Sequence, residues 1–365
     1  MSASPMEFQR VALLGVGLIG GSLALALKRA RPGLHITGFD EPDVLDIALE
    51  RGAIDTRSAS VPAAVEQADL VILATPIGAS MTLLETAAPH LRDGAVVTDV
   101  GSVKGPVRAQ ARRVLPQEVT FVGGHPMTGS ERRGVANADA MLFENAVYVL
   151  CPEAEEDAAF QALSALLEET GSRVLVMDAA KHDEVAARVS HLPQLLAVAL
   201  VNGIAGDEAA ARLAAGGFRD MTRIASSPFS MWRDILVGNE GAILDELGRM
   251  TADLQRLRNR LAEGDVDALA DSFHQASKIR NAIPANSKGF LNPLSDVFVY
   301  TPDRPGALLE IIGSLSDSDV DIKDIELLKI REGTGGTFRL GFKDNASADR
   351  AVAQLTSNGL HAYRL

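Results

Sequence analysis

A single cysteine, Cys151, in 365 residues excludes an intramolecular disulfide framework and fits a reducing compartment, so the cytoplasm is the expected location. Aromatic residues make up only 4% of the chain and the formal net charge is −13, which argues against a nucleic-acid surface of stacked rings and basic groups. With acidic groups in excess, an anionic small molecule would need a local arginine cluster. The nearest thing to a long apolar run, Val11 to Leu27, is interrupted by Gly15, Gly17, Gly20 and Gly21. It is at the short limit for crossing a bilayer and lacks a small-residue cleavage site. Neither a membrane span nor a signal segment is expected.

What remains is globular composition, 47% hydrophobic and 23% charged, in a chain long enough for two or three domains. Apolar runs at 10–14, 34–39, 70–73, 95–98, 120–122, 146–150 and 173–176 read as strands. Helical stretches at 18–30, 79–91, 104–114 and 156–170 lie between most of them, which predicts an α/β fold with a doubly wound, mainly parallel Rossmann sheet over 6–177. Strand signals then stop, and helical periodicity over 179–202, 206–214 and 231–280 predicts an all-α substrate or dimerisation domain over 178–285. Turn residues without periodicity mark 286–293 as a linker. Over 294–365 the order strand, helix, strand, strand, helix, strand predicts a ferredoxin-like βαββαβ domain.

Gly15-Val16-Gly17-Leu18-Ile19-Gly20 follows the first strand and opens the first helix, and Asp40 stands at the end of the second strand. Glycines there permit a tight turn and close backbone approach, and the helix N-terminus suits a pyrophosphate. A carboxylate at Asp40 suits both ribose hydroxyls and repels an added phosphate, so NAD is expected rather than NADP. Thr75-Pro76 and the run from Asp99 to Lys104 each follow a strand, where open sheets place ligands. Ser102 has two readings of equal weight, a partner for an imidazole or nicotinamide amide and a plain loop residue. Lys104 reads as a solvated helix residue.

In Gly123-Gly124-His125-Pro126 one imidazole sits between a glycine pair and a turn. Such a ring can take a proton from a hydroxyl as hydride leaves the same carbon, although a histidine flanked by glycines is by itself more often a turn residue. Arg219, Arg223 and Arg233 cluster around Trp232, and arginine forks suit carboxylates. The alternative for each is a surface ion pair with Asp220 or Asp234. Asp183, Ala187, Ser190, His191 and Gln194 fall on one helical stripe, broken by Pro193. That stripe is either a site wall or a core containing a satisfied His191, and His182 reads as exposed or structural.

The runs GVGLIGGSLA, DVGSVK, GGHPMTGSE, HDEVAARVSHLP and GGFRDMTRIASSPFSMWRDI, in this order, resemble the prephenate dehydrogenase family of tyrosine biosynthesis, in the form with a C-terminal ACT domain. The resemblance implies an NAD-dependent oxidative decarboxylation of prephenate to 4-hydroxyphenylpyruvate in a homodimer, with no metal. It assigns the catalytic imidazole to His125, its orienting hydroxyl to Ser102 and the main substrate-binding guanidinium to Arg223. Ser190, His191, Ser227 and Trp232 match pocket positions, and Glu131 and Asp183 match polar residues near the entrance. Gln194 replaces the family's usual second histidine, which leaves an arogenate or dual-specificity cyclohexadienyl dehydrogenase as the alternative. An inactive amino-acid-responsive binding protein is the alternative of another class. Asp303, Pro305, Gly306 and Ala307 resemble the turn of ACT domains beside which an effector binds, with L-tyrosine implied.

Overall fold

The computed structural model describes residues 6–129, 132–155, 157–282, 294–316, 320–331 and 335–364. They form two units, Met1–Val266 and Asp267–Leu365, and the expected linker 286–293 lies outside the described residues. The first unit opens with β1 (Arg10–Leu14), α1 (Leu18–Ala30), β2 (His35–Phe39), α2 (Pro42–Glu50), β3 (Thr56–Arg57) and α3 (Val61–Val65). It continues through β4 (Leu70–Leu73), α4 (Ile77–Ala87), β5 (Val96–Asp99), α5 (Gly105–Val114), β6 (Thr120–Pro126), β7 (Val147–Cys151), α6 (Ala158–Glu169) and β8 (Arg173–Val176). The sheet order is β3-β2-β1-β4-β5-β6-β7-β8, and every neighbouring pair is parallel except β6 with β7. This is the mainly parallel, doubly wound architecture expected. In β1, Val11 and Leu13 enter the core on one face while Ala12 and Leu14 enter the core on the other. Burial on both faces is why the central strands read as continuous apolar runs.

One strand differs in a way that bears on function. The sequence pattern ends β6 at Val122 because two glycines follow, yet the strand runs to Pro126 and pairs His125 with Val149. A Cβ on Gly124 would lie 2.4 Å from the Asp99 carbonyl oxygen, so glycine is what lets β6 pass this close to the end of β5. His125 therefore stands on a strand rung instead of in a loop.

After β8 the chain is helical: α7 (Ala179–Ala186), a π-helical turn (Ala187–His191), α8 (Leu192–Asn202), α9 (Glu208–Leu213), α10 (Gly216–Thr222), a 3₁₀ turn (Arg223–Ser226), α11 (Phe229–Gly238) and α12 (Glu240–Glu263). Pro193 falls in the first turn of α8, where its missing N–H costs little, and the kink expected of it is realised as the π turn just before it. As one run, Ala179–Asn202 is long and apolar enough to cross a membrane by length and composition. Here it packs against α12 and carries the buried polar side chains His182, Asp183, His191 and Gln194.

Apart from its first residue, α13 (Val266–Ala282) belongs to the second unit, which continues with β9 (Ser295–Thr301), α14 (Ala307–Leu315), β10 (Ile322–Arg331), β11 (Gly335–Phe342), α15 (Asn345–Ser357) and β12 (His361–Tyr363). Its antiparallel order β10-β11-β9-β12 with two crossing helices is the βαββαβ sandwich expected. Val297, Val299, Ile311, Leu340, Phe342 and Leu355 form its core.

Candidate active site

The glycine-rich turn is built as a nucleotide cradle. Gly15 has φ +99°, and a Cβ on it would lie 2.6 Å from the Ala74 carbonyl oxygen. A Cβ on Gly20 would come within 2.2 Å of the Gly15 carbonyl oxygen, which explains the close packing of α1 on β1. A Cβ added to Gly17 would meet nothing within 4 Å, so the side of the backbone before Leu18 is open where a pyrophosphate would approach a helix N-terminus. The Asp40 carboxylate accepts from the Val16 N–H at 2.6 Å and so ties the end of β2 to this turn. Ile19, Thr75, Pro76 and Ser102 line a neighbouring cavity of about 250 Å³, closed from the helical side by Met231 and Asp234. These residues fit a bound dinucleotide.

Toward the end of β6, the half-buried ring of His125 meets His182, with 2.8 Å between His125 Nδ1 and His182 Nε2. The opposite nitrogen, His182 Nδ1, lies 2.8 Å from Asp183 Oδ1. Both oxygens of Asp183 accept backbone bonds from the start of α5, Oδ1 from the Lys104 N–H and Oδ2 from the Gly105 N–H, each at 2.8 Å. His182 is thus 2% exposed and bonded to the candidate base, which overturns the exposed alternative expected of it. Its bland sequence setting hid this, because α7 aims it across to β6. Asp183, expected near the entrance, is buried for the same reason.

Lys104 also departs from expectation. It is 1% exposed, pairs with the buried Asp99 carboxylate, and its Nζ donates to the Gly124 carbonyl at 2.6 Å. Asp99 further accepts from the N–H groups of Gly101 at 2.9 Å and Gly124 at 3.1 Å. This knot fixes the strand rung that carries His125. Burial, with the Lys104 charge adding to it, holds the His125 imidazole well below the ordinary histidine range, so the ring is neutral at neutral pH. Among the described residues Ser102 makes no hydrogen bond to His125; the ring's bonded partner is His182.

The helical segment holds a cluster of largely buried neutral polar groups. Asn239 Nδ2 donates to the Asp183 carbonyl at 2.8 Å and to His191 Nδ1 at 3.2 Å. His191 therefore carries its proton on Nε2, which is buried without a partner. Burial pushes its pKa down to about 4. Trp232 packs edge-on to His191 with centroids 6.0 Å apart, and its Nε1 is likewise unpartnered. Gln194 Nε2 donates to the Ile224 carbonyl at 3.1 Å, leaving Oε1 buried and unpartnered. Ser190 lies half-buried in the π turn.

Arg223 opens the 3₁₀ turn and, with Ser226, Ser227 and Arg133, lines a cavity of about 390 Å³. Arg133 was not singled out from the sequence, since the Arg132-Arg133 pair before Gly134 carries no pattern that points to a ligand. Asp234, offered as an ion-pair partner, instead accepts from the Gly78 N–H at 3.0 Å at the start of α4. Glu131 lies outside the described residues. Cys151 is buried on β7, and burial pushes its thiol up to about 12, so it offers no thiolate. In the second unit Asp303, Gly306 and Ala307 line a separate cavity of about 240 Å³ with Arg304 and Phe338. Pro305 stands exposed in the same turn, before Gly306 at φ +87°.

This geometry agrees with what the chain resembles among known proteins. Residues 23–176 match the family model of the prephenate dehydrogenase nucleotide-binding domain, and 178–275 that of the prephenate dehydrogenase dimerization domain. The prephenate dehydrogenase of Bacillus subtilis (strain 168) is 39% identical over 93% of this chain and 94% of its own length. A cyclohexadienyl dehydrogenase of Zymomonas mobilis is 35% identical over 76% of this chain and 96% of its own. The solved prephenate dehydrogenase of A. aeolicus, in complex with hydroxyphenyl propionate and NAD+, superposes with a TM-score of 0.70 and 31% identity. That likeness covers 78% of this chain and all of the other (100%). Matched by both family models in chain order, and 39% identical to a relative over 93% of its length, the chain belongs to the prephenate dehydrogenase family.

Proposed function

We propose that this protein carries out the NAD-dependent oxidative decarboxylation of prephenate to 4-hydroxyphenylpyruvate and CO2 with His125 as the general base. The observation that carries the reading is a neutral, half-buried imidazole near the carboxyl end of β6, bonded to His182 and carried by the same sheet as the nucleotide cradle. Bound NAD+ supplies the acceptor for the hydride. The His125 ring takes the proton of the ring hydroxyl as the carbinol hydrogen departs with its electron pair. Once the ring carboxylate has left as CO2, its bonding pair aromatises the ring, and His125 returns the proton to the phenol oxygen. Proton and charge therefore balance with nothing further consumed. Arg223, with Arg133 in the same cavity, suits a dianion. Ser102, Ser190, Ser227, His191 and Trp232 supply neutral contacts around the ring, and Asp40 with Gly15, Gly17 and Gly20 holds the adenosine diphosphate half of the cofactor.

Gln194 favours a second reading. With Nε2 committed to the Ile224 carbonyl, the amide offers an acceptor oxygen, which suits the ammonium of arogenate better than the keto group of prephenate. The cyclohexadienyl dehydrogenase relative is consistent with such breadth. In the second unit, the cavity beside Asp303 and Gly306 supports an amino-acid effector, L-tyrosine. On α12, Leu244, Leu254, Leu257 and Leu261 are exposed, which supports a homodimer through the helical segment. The deciding assay offers the purified chain NAD+ with prephenate or arogenate and follows NADH. Turnover of prephenate is the expected result. Turnover of arogenate alone would favour the second reading, and turnover of neither would overturn both.

A further inference from the structure

We infer that His182 is a positioning residue that holds His125 as its Nδ1–H tautomer, so that the proton acceptor in the reaction is His125 Nε2. The inference rests on the reading of His125 as the base and adds to it which nitrogen works. Its ground is a one-way chain of hydrogen bonds. An ionised carboxylate only accepts, so Asp183 Oδ1, 2.8 Å from His182 Nδ1, requires the proton of His182 on Nδ1. An imidazole that carries its one proton on Nδ1 has a lone pair on Nε2, and the 2.8 Å contact of His182 Nε2 with His125 Nδ1 then requires the proton there. The only nitrogen of His125 left to accept is Nε2.

Asp183 cannot easily reverse this order. Its two oxygens are pinned by the Lys104 and Gly105 N–H groups, and its own carbonyl accepts from Asn239 Nδ2. The carboxylate is therefore held by α5 and the backbone of α7 by Asn239, while the imidazole of His182 is buried between them. When His125 Nε2 takes the substrate proton, the Nδ1–H bond to His182 becomes charge-assisted and strengthens. No proton needs to leave Nδ1, so the base can return the one it borrowed.

Three measurements on the full-length chain test this. Histidine ¹⁵N spectra of the wild type should show His125 protonated at Nδ1 and bare at Nε2; protonation at Nε2 would overturn the inference whatever the activity. Alignment is a share of general-base assistance worth about 10² to 10⁴ in rate, so His182→Leu should lower kcat about ten- to a hundred-fold with KM shifted less than about two-fold. In His182→Gln, one amide can accept from His125 and donate to Asp183, and most of kcat should return. A folded His182→Leu protein with wild-type kcat would also overturn it. Should the leucine variant fail to fold, the wild-type spectrum still decides. If His125→Asn retains activity while the spectrum shows the Nδ1–H tautomer, the base assignment fails and the tautomer inference stands.

Discussion

At the residue scale, the working property of His125 is that its surroundings make it hard to charge. Burial and the Lys104 ammonium both oppose the imidazolium, and burial does the same to His191. The consequence for stability has a definite sign. Both rings are neutral in the fold, whereas in the unfolded chain they take up protons near pH 6.5. The unfolded state therefore binds more protons as pH falls from there toward about 4 for His191, and His125, held well below the ordinary range, acts in the same direction, so stability falls with pH across that window. Melting temperature should decline between pH 6.5 and 4, more steeply than in a His191→Gln variant, while kcat/KM at pH 6 stays close to its neutral value. A rate already halved at pH 6.5 would mean that an ordinary, solvated histidine is the base. His125 itself was legible in the sequence because glycine and proline flank it. His182 was not, because no local pattern reports a partner 57 positions away.

Among the elements, the end of β6 shows how glycine sets a distance. Gly124→Ala would drive a methyl group to 2.4 Å from the Asp99 carbonyl oxygen, parting β6 from β5 and disturbing the Lys104 bond to residue 124. Overpacking of this kind typically costs about 1 to 3 kcal/mol, so a clear drop in melting temperature and lost activity should appear together. Gly17→Ala makes the contrasting case, with nothing within 4 Å of the added methyl. It should leave the melting temperature within a few degrees and weaken NAD+ binding, as calorimetry would show. Equal losses of stability in the two variants would contradict this division of roles. The sequence announced β1, α1 and the helical stretch clearly, since periodicity and the fingerprint agree there. It understated β6, where strand pairing overrides a poor local propensity, and it gave no sign of β3, a two-residue strand whose side chains are exposed. Pro193 was legible as a break, but which backbone form the break takes depends on packing against α12.

Taken whole, the molecule divides its chemistry between two units. The first holds the nucleotide cradle, the imidazole chain and the arginine-lined cavity, all within Met1–Val266. The βαββαβ sandwich in the second has a cavity of its own. Titration of the full-length protein with L-tyrosine should release measurable heat and lower turnover; neither heat nor inhibition would leave the second unit a structural part. The order of these parts along the chain was legible because each segment has its own period. The link between α5 and α7 through Asp183 was not, because 79 residues separate the Lys104 N–H from the carboxylate it meets. What most directly tests the account is the steady-state kinetics of His125→Asn with prephenate and NAD+. The account predicts kcat lower by about 10² to 10⁴ with KM little changed, and a variant retaining near-native kcat would contradict it.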